Sequence, residues 1–256
     1  MKYIESKNND IFKNIKKLLL KPKNRKNFKR FVVEGLKEIT LCLESNYNLI
    51  ELYVCSEIHN KKYDDLYFKY KATNLSIKLY KELSYKEKGD GFLAIFHSKE
   101  FHLDQLILPK NPFILVAESP EKPGNIGAIL RTADAAGIDA VIIANLKTEI
   151  YNPNIIRSSL GSVFSSQIGV GKTKEVIEFL KRNKIKIIST LIRNSIDYSS
   201  VKFTGPCAII IGAESSPLSD DWVNISDELI NIPMKGKMDS LNLSVTAAIV
   251  IFEALK

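Results

Sequence analysis

Short apolar runs alternate with helix-forming stretches from residue 113 to the end of the chain, and this pattern most constrains the fold. The runs are continuous rather than interrupted by polar residues at every second position, as expected of strands buried on both faces. Such strands, joined by helices, form a parallel sheet with helices on both sides. The predicted strands are 113–117, 140–144, 186–191, 207–212 and 228–232, and the predicted helices lie near 126–136, 153–160, 173–183 and 241–255.

The first hundred residues instead predict a smaller, mixed α/β unit. Its predicted elements are a basic helix followed by a loop around Pro22, a strand over 31–35, a helix over 36–43, and strands over 49–55 and 91–96. Pro109 and Pro112 indicate a linker over 97–112. We therefore predict two domains, residues 1–108 and residues 109–256.

The excess of positive charge is confined to the first part of the chain. Residues 1–110 hold 22 Lys and Arg against 14 Asp and Glu, whereas residues 111–256 hold 15 of each. The excess is densest from Lys13 to Arg30, where nine basic residues occur without an acid. Such a block attracts polyanions through their phosphates, and the alternative is a lysine-rich, solvated helix face. The candidate nucleic-acid contacts within it are Lys23, Arg25, Lys26 and Arg30.

The composition fits a soluble globular protein. Hydrophobic residues make up 45% of the chain and charged residues 26%, and we predict neither a membrane-spanning segment nor a signal peptide. The cysteines and histidines lack metal-ligand spacing, so no metal site is predicted. Three cysteines cannot all pair, which favours a reducing cytoplasm and buried, apolar thiols. The cysteines are Cys42, Cys55 and Cys207, and the histidines are His59, His97 and His102.

Three polar stretches follow predicted strands, at the sheet edge where open α/β proteins bind ligands. In the first, Asn125 stands where a helix cap is expected and Arg131 interrupts an apolar helix, so capping and snorkelling are the structural alternatives. In the second, Glu214 follows a strand, and a solvated loop acid is the alternative. In the third, polar residues crowd the start of the last helix, where they either cap free N–H groups or form a small-molecule pocket. They are Ser240, Asn242 and Ser244.

Together these stretches resemble the SpoU (TrmH-like) family of RNA ribose 2′-O-methyltransferases, in the SPOUT class. The resemblance rests on NIGAILRTA (125–133), GAE (212–214) and IPMKGKMDSLNLS (232–244), which stand in the family's order. The segment NPNIIRSSLGSVF (152–164) is similar to the family's R-x-S-x-G segment. One departure is Glu121-Lys-Pro-Gly, where the family often has Asp-Pro, and no role is assigned to this acid.

The resemblance implies a fold and a cofactor that the pattern of strands and helices does not supply. The sheet domain would end in a deep trefoil knot whose loops wrap S-adenosylmethionine, without a metal, and the protein would work as a homodimer with sites near the subunit interface. The N-terminal part resembles the RNA-binding domain that often precedes this unit, through FVVEGLKEI (31–39) and GFLAIF (91–96).

The resemblance also assigns roles to single residues. Arg131 would bind the phosphate next to the reacting ribose and ease formation of an alkoxide, and Asn125 would orient the acceptor or Arg131. Glu214, Ser240 and Asn242 would shape and polarise the site. The positions that match the family's cofactor contacts are Leu191, Gly212, Ile232, Met234 and Leu241, and Arg157 joins the candidate RNA-binding residues.

The implied function is S-adenosylmethionine-dependent 2′-O-methylation of ribose in RNA, with ribosomal RNA as the expected substrate. A transfer RNA substrate is the nearest alternative. A non-catalytic RNA-binding protein that retains the fold is another, and the presence of Asn125, Arg131 and the other motif residues argues against it.

Overall fold

The computed structural model describes residues 2–59, 68–86, 89–192, 194–213 and 218–256. The chain forms two compact units. The first consists of Met1–Glu100 with Ile150–Arg157, and the second consists of Phe101–Glu149 with Ser158–Lys256. The predicted domains, 1–108 and 109–256, have one boundary, whereas each observed unit consists of two separate segments of the chain. The functions assigned to the two domains stay predictions.

The first unit is built on a mixed sheet in which the strands follow the order β1-β4-β3-β5-β2 among the described residues. The strand β5 runs antiparallel to its neighbours β2 and β3, whereas the remaining pairs are parallel. The strands are β1 (Tyr3–Ile4), β2 (Arg30–Glu34), β3 (Leu49–Val54), β4 (Thr73–Leu75) and β5 (Phe92–His97). The helices are α1 (Asp10–Leu20), α2 (Pro22–Phe28), α3 (Leu36–Glu44) and α4 (Ile77–Leu83).

The predicted elements over 31–35, 36–43, 49–55 and 91–96 are confirmed, each within two residues of its predicted bounds. The predicted loop around Pro22 is wrong, because Pro22 is the first residue of α2. Proline fits this position because its missing N–H would have no partner within the helix. The basic stretch therefore forms two helices rather than a helix and a loop.

Residues 150–157 belong to the first unit because Tyr151 is anchored in its core. The ring of Tyr151 stacks on Phe31 with 4.1 Å between the centroids, and Tyr47 meets it edge-on. The backbone N–H of Lys99 donates to the Tyr151 hydroxyl at 2.8 Å. Burial raises the pKa of both phenols, that of Tyr47 to about 12. This segment thus leaves the second unit and returns to it through α6 (Pro153–Ser159).

The second unit contains a seven-stranded sheet among the described residues, and every pairing in it is parallel. The strands follow the order β10-β12-β9-β11-β6-β7-β8. They are β6 (Phe113–Glu118), β7 (Ala140–Ala144), β8 (Ile168–Gly171), β9 (Lys186–Thr190), β10 (Ile196–Asp197), β11 (Cys207–Ile211) and β12 (Glu228–Asn231). The remaining helices are α5 (Pro123–Ala136), α7 (Ser162–Ser165), α8 (Thr173–Arg182), α9 (Asp220–Val223) and α10 (Leu243–Ala254).

Helices cover both faces of this sheet, as the apolar strands predict. Ile114 and Val116 of β6 pack with Val176 and Leu180 of α8 in one buried cluster. Side chains at alternate positions of a strand point to the opposite face, and there α5 and α10 pack against each other and against β7 and β11. The predicted α/β fold with a parallel sheet is therefore confirmed, while the trefoil knot stays a prediction.

The five strands predicted for this sheet are confirmed, and so are the four helices predicted after residue 113, each within three residues of the predicted bounds. The short helices α7 and α9 were not predicted. Two strands were not predicted, β8 and β10, and both lie at the edges of the sheet. The strand β8 has the sequence IGVG, in which two glycines lower the strand propensity. The strand β10 has only two residues and therefore no periodicity to detect.

Cys42, Cys55 and Cys207 are buried free thiols, as predicted. Burial raises the pKa of Cys207 to about 11, so this thiol stays protonated at neutral pH and is a poor nucleophile. None of the described helices is long and apolar enough to cross a membrane.

Replacing the anchor of the first unit should destabilise the protein strongly. We expect Tyr151→Ala to lower the free energy of unfolding by about 3–5 kcal/mol, because a stacked aromatic ring leaves a cavity. Tyr151→Phe should cost about 1–3 kcal/mol, since the N–H of Lys99 loses its acceptor. Denaturant titration followed by circular dichroism measures both, with Tyr3→Ala as the control because Tyr3 is 52% exposed. Equal stability of Tyr151→Ala and the control would contradict the anchor.

Candidate functional site

Three of the predicted cofactor contacts lie side by side at one edge of the second sheet. Each of them directly follows a strand: Leu191 follows β9, Gly212 follows β11 and Ile232 follows β12. These three strands are adjacent in the sheet. The N–H of Leu191 donates to the carbonyl oxygen of Ile230 at 2.8 Å, which ties two of these strand ends together. The carboxyl ends of parallel strands are the usual place for a ligand in open α/β sheets.

The loops at this edge present apolar side chains to solvent. Ile192 is 62% exposed, Met238 76% and Leu241 38%, and Met234 is half-buried. Apolar surface combined with the backbone groups of strand ends is suited to a flat, partly apolar ligand such as a nucleoside. The residues present therefore fit the adenosyl part of S-adenosylmethionine.

The structure shows how closely the chain packs around Gly212. A Cβ placed on Gly212 would lie 3.2 Å from the backbone nitrogen of Leu218 and 3.3 Å from its Cγ. Both distances are tighter than ordinary van der Waals contact, so a side chain here would displace Leu218. The packing against Leu218 thus favours a glycine here, in addition to any approach by a ligand.

Asn125 and Asn242, which are 117 positions apart, meet in this structure. The side-chain Nδ2 of Asn242 donates to Oδ1 of Asn125 at 3.3 Å. Asn242 is also the N-cap of α10, where its Oδ1 accepts from the N–H of Ser244 at 2.9 Å. The capping interpretation of the last motif is therefore correct for Asn242, and the same side chain reaches a residue of the first motif.

Asn125 does not cap its helix, contrary to the structural alternative. The helix α5 begins at Pro123 with Lys122 as the N-cap, so Asn125 lies within the first turn. The cap bond of Asn242 fixes which end of its amide faces Asn125, and this in turn fixes the orientation of the Asn125 amide. The Nδ2 of Asn125 is buried and has no hydrogen-bond partner among the residues that the structure describes. A buried donor of this kind is costly unless a ligand supplies the acceptor.

Arg131 lies on the exposed surface of α5, six residues beyond Asn125. Six residues correspond to about 9 Å along the helix axis and to a rotation of about 120° away from Asn125. Within the described part of the chain, the guanidinium of Arg131 forms no hydrogen bond or ion pair. The structure thus leaves this cation available to an anionic ligand but does not bring it into contact with the Asn125–Asn242 pair.

The other two predicted catalytic residues are less defined. Ser240 is exposed and its hydroxyl donates to Asp239 at 3.4 Å, two positions before the cap residue Asn242. Glu214 lies outside the described residues. Among the residues that are described, no group of three or more His, Cys, Asp or Glu side chains could hold a metal ion.

The predicted RNA contacts fall into two groups. Lys23 and Lys26 are exposed on α2 and have no ion pair within the described ranges, and Arg30 is half-buried at the start of β2. Arg157 is exposed on α6, where its Nη2 donates to Asn154 at 3.4 Å.

Arg25 does not fit the prediction of a direct RNA contact. It is 4% exposed, and its guanidinium donates to the carbonyl oxygens of Leu18 and Leu19, the latter at 2.8 Å. These carbonyls belong to the last turn of α1 and would otherwise lack partners. Arg25 therefore fastens α2 to the end of α1, and we replace its predicted role with this structural one.

Sequence reasoning missed a buried acid at the same sheet edge. Glu118 is the last residue of β6 and is 6% exposed, although it directly follows the predicted strand 113–117. An acid immediately after a buried strand is the signal that would have identified it. Thr173 and Ser219 hydrogen-bond to its carboxylate.

The parallel α/β fold, with motif residues at one edge of its sheet, is the arrangement expected of a SpoU-type methyltransferase. The comparisons with known families agree with this class. The chain belongs to the SpoU rRNA methylase family, whose model matches residues 112–252. Residues 8–94 match the MRM3-like substrate binding domain. The predicted family is therefore confirmed.

Individual relatives match over nearly the whole chain. The 23S rRNA (guanosine(2553)-2′-O)-methyltransferase RlmP of Bacillus subtilis is 28% identical over 252 residues, which cover 98% of each chain. A crystal structure of an RNA 2′-O ribose methyltransferase is 33% identical, with a TM-score of 0.88 over 99% of this chain and 98% of that one. The SpoU methyltransferase AviRb of Streptomyces viridochromogenes, solved with the cofactor AdoMet, is 26% identical, with a TM-score of 0.86 over 96% and 97%.

Proposed function

We propose that this protein transfers a methyl group from S-adenosylmethionine to the ribose 2′-hydroxyl of a nucleotide in ribosomal RNA. The observation that carries the proposal is the contact between Asn125 and Asn242, beside the strand ends that carry Leu191, Gly212 and Ile232. Residues from the three family motifs are thereby gathered at one edge of the sheet. The near-full-length similarity to named rRNA 2′-O-methyltransferases supports the same activity.

The cofactor supplies an electrophilic methyl group on a sulfonium, and this chain supplies the surface that holds it. The backbone at Gly212 and Ile232 offers hydrogen-bonding groups beside the strand end of Leu191, and the exposed Leu241 offers apolar area. A ribose hydroxyl is a weak nucleophile, so its proton must be removed or its developing charge stabilised.

Arg131 and Asn125 have the groups that this task needs. A guanidinium stays ionised and cannot accept a proton, but it binds a phosphate through paired N–H donors and stabilises a nearby alkoxide. The Nδ2 of Asn125, which has no partner in the described ranges of the chain, is a donor for an oxygen of the bound nucleotide. We propose that Asn242 orients Asn125 and that Ser240 and Glu214 complete the polar wall of the site.

Ribosomal RNA is favoured over transfer RNA because the relatives that match nearly the whole chain are named as 23S rRNA enzymes. The MRM3-like substrate binding domain over residues 8–94 supports a role of the first unit in holding RNA. Lys23, Lys26, Arg30 and Arg157 are the cations that we propose contact phosphates.

We propose that the protein works as a homodimer. The helix α10 is predominantly apolar, and Val245, Ile249 and Phe252 form a stripe on it at helical spacing. Val245 is 44% exposed and Phe252 50%, so this stripe is not covered within the chain. A second copy would cover the stripe, and it would also place cations such as Arg131 near the seam. The family's trefoil knot and a cytoplasmic location complete the proposal, and the three free thiols are compatible with a reducing compartment.

An assay of methyl transfer tests the proposed function directly, and replacing Arg131 should nearly abolish the activity. The purified protein should methylate unmodified 23S rRNA transcripts and leave tRNA transcripts unmodified, with product detected as a linkage resistant to alkaline cleavage. Arg131→Ala should lower the rate by about 100–1,000-fold, because one preorganised donor to the developing charge is lost, while calorimetric binding of S-adenosylmethionine is kept. Arg182→Ala is the control, since Arg182 is exposed and pairs with Asp104. Full activity of Arg131→Ala would exclude Arg131 from the reaction.

RNA binding should depend on salt through Lys23 and Lys26. The double variant Lys23→Gln/Lys26→Gln should flatten the slope of log K against log salt by about 1.5, since each phosphate contact contributes about 0.7–0.9. Lys174→Gln/Lys181→Gln removes the same charge from exposed positions of α8 and should leave the slope nearly unchanged. Arg25→Gln should instead lower stability. A slope unaffected by the first pair would show that RNA binds elsewhere.

The dimer predicts a change of mass when a charge enters the α10 stripe. Phe252→Glu should convert the protein from twice its chain mass of 28.9 kDa to the monomer in sedimentation equilibrium, because an unpaired buried carboxylate is costly. Ile107→Glu is the control, since Ile107 is 80% exposed and lies outside the stripe. A monomeric unmodified protein, or a dimeric Phe252→Glu, would contradict the proposed interface.

A further inference from the structure

Glu118 is a buried carboxylate without a cationic partner in the described part of the chain. It is 6% exposed and accepts three hydrogen bonds, all from neutral donors. The hydroxyl of Thr173 donates to Oε1 at 2.7 Å, the hydroxyl of Ser219 donates to the same oxygen at 2.8 Å, and the N–H of Ser219 donates to Oε2 at 3.0 Å. Burying a charged group is costly, so a buried carboxylate is expected where its hydrogen bonds fix the positions of neighbouring segments.

One side of this arrangement is fixed independently of Glu118. The side chain of Asn145, which follows β7, donates to the Thr173 hydroxyl at 2.8 Å and accepts from the Thr173 N–H at 3.2 Å. Thr173 is therefore held twice at the start of α8. The carboxylate of Glu118 is seated between this fixed hydroxyl and Ser219.

The other side is the return of the loop that follows β11. Ser219 is the N-cap of α9, yet its side chain forms no capping bond to that helix and donates to Glu118 instead. A serine at an N-cap ordinarily bonds to the helix's own N–H groups. Here the bond to Glu118 fixes where the chain re-enters the fold.

The position of Ser219 decides the position of Leu218, and Leu218 packs against Gly212. As described above, the backbone nitrogen of Leu218 approaches the Cα side of Gly212 so closely that a Cβ would meet it at 3.2 Å. Gly212 follows β11 at the edge proposed to hold S-adenosylmethionine. A displacement of Ser219 would therefore be transmitted through Leu218 to the backbone of Gly212.

We infer that Glu118 is a positioning residue for the S-adenosylmethionine site, acting through Ser219 and Leu218 on the backbone at Gly212. The inference rests on the proposed function, because it assumes that the cofactor binds at this edge. Within the described part of the chain, the Glu118 side chain bonds to Thr173 and Ser219 and forms no hydrogen bond to Gly212 or to the Asn125–Asn242 pair. Its effect should fall on cofactor affinity and leave RNA affinity and the rate at saturating cofactor nearly unchanged.

The test measures the Kd for S-adenosylmethionine by calorimetry on the full-length protein. Glu118→Gln keeps the shape of the side chain but removes the charge and one acceptor, and Ser219→Ala removes the loop's hydroxyl while leaving the fold of β6 untouched. Each should raise the Kd about tenfold, which corresponds to the loss of one charge-assisted hydrogen bond. In turnover, the KM for S-adenosylmethionine should rise in step, with kcat and the KM for RNA within about twofold of the unmodified protein.

Thr173→Val is the matched control, because it removes a hydroxyl bonded to the same carboxylate on the side away from the loop. It should lower the melting temperature about as much as Ser219→Ala and change the Kd by less than about twofold. The double variant Glu118→Gln/Ser219→Ala should bind no more weakly than the weaker single variant, since both act through one contact.

The outcomes separate the inference from the proposed function. An unchanged Kd in both Glu118→Gln and Ser219→Ala, or an equal rise in Thr173→Val, would overturn the positioning role while the unmodified protein still binds S-adenosylmethionine. Absence of binding by the unmodified protein would contradict the proposed function, and the inference would fall with it.

Discussion

The parallel alignment of the second sheet is the constraint on which the candidate site depends. Because every pairing is parallel, the carboxyl ends of β9, β11 and β12 open at the same edge. The order of the strands then makes neighbours of segments that are separated along the chain. An antiparallel or reordered sheet with the same strands would distribute Leu191, Gly212 and Ile232 over two edges or distant strands. The apolar interior of the sheet therefore does more than stabilise the fold, since it determines which loops can share a ligand.

The strands at the centre of this sheet were predictable because burial on both faces imposes a plain signal, namely the continuous apolar runs of β6, β7 and β11. The contact between Asn125 and Asn242 was not predictable from spacing, because it depends on α10 returning across the sheet to pack against α5. The family resemblance named both residues but not their contact. Glu118 was missed for a related reason: an acid at a strand end looks solvated until α8 and α9 are placed over it.

Two single-residue expectations failed, one because of a neighbouring proline and one because of a contact with another helix. Asn125 has the composition of a cap, yet α5 begins at Pro123, whose fixed φ suits the first helical position. Arg25 lies in the densest basic block, yet its guanidinium is buried and donates to the carbonyl oxygens at the end of α1. The net charge of a segment predicts that it binds a polyanion. It does not show which cations stabilise the fold, as Arg25 does, and which are exposed to a phosphate, as Lys23 and Lys26 are.

The last helix connects the formation of the site with assembly. Its N-cap, Asn242, orients Asn125, while its buried side packs against α5 and its other side exposes Val245 and Phe252. A helix with apolar residues on both sides is stable in water only when both sides are covered. The proposed site residue Asn242 is thus attached to a helix whose exposed outer face would be covered in the proposed homodimer. Arg131 is exposed on the helix that packs against it and is turned away from Asn125. A site completed at the seam between two copies accounts for both features with one contact.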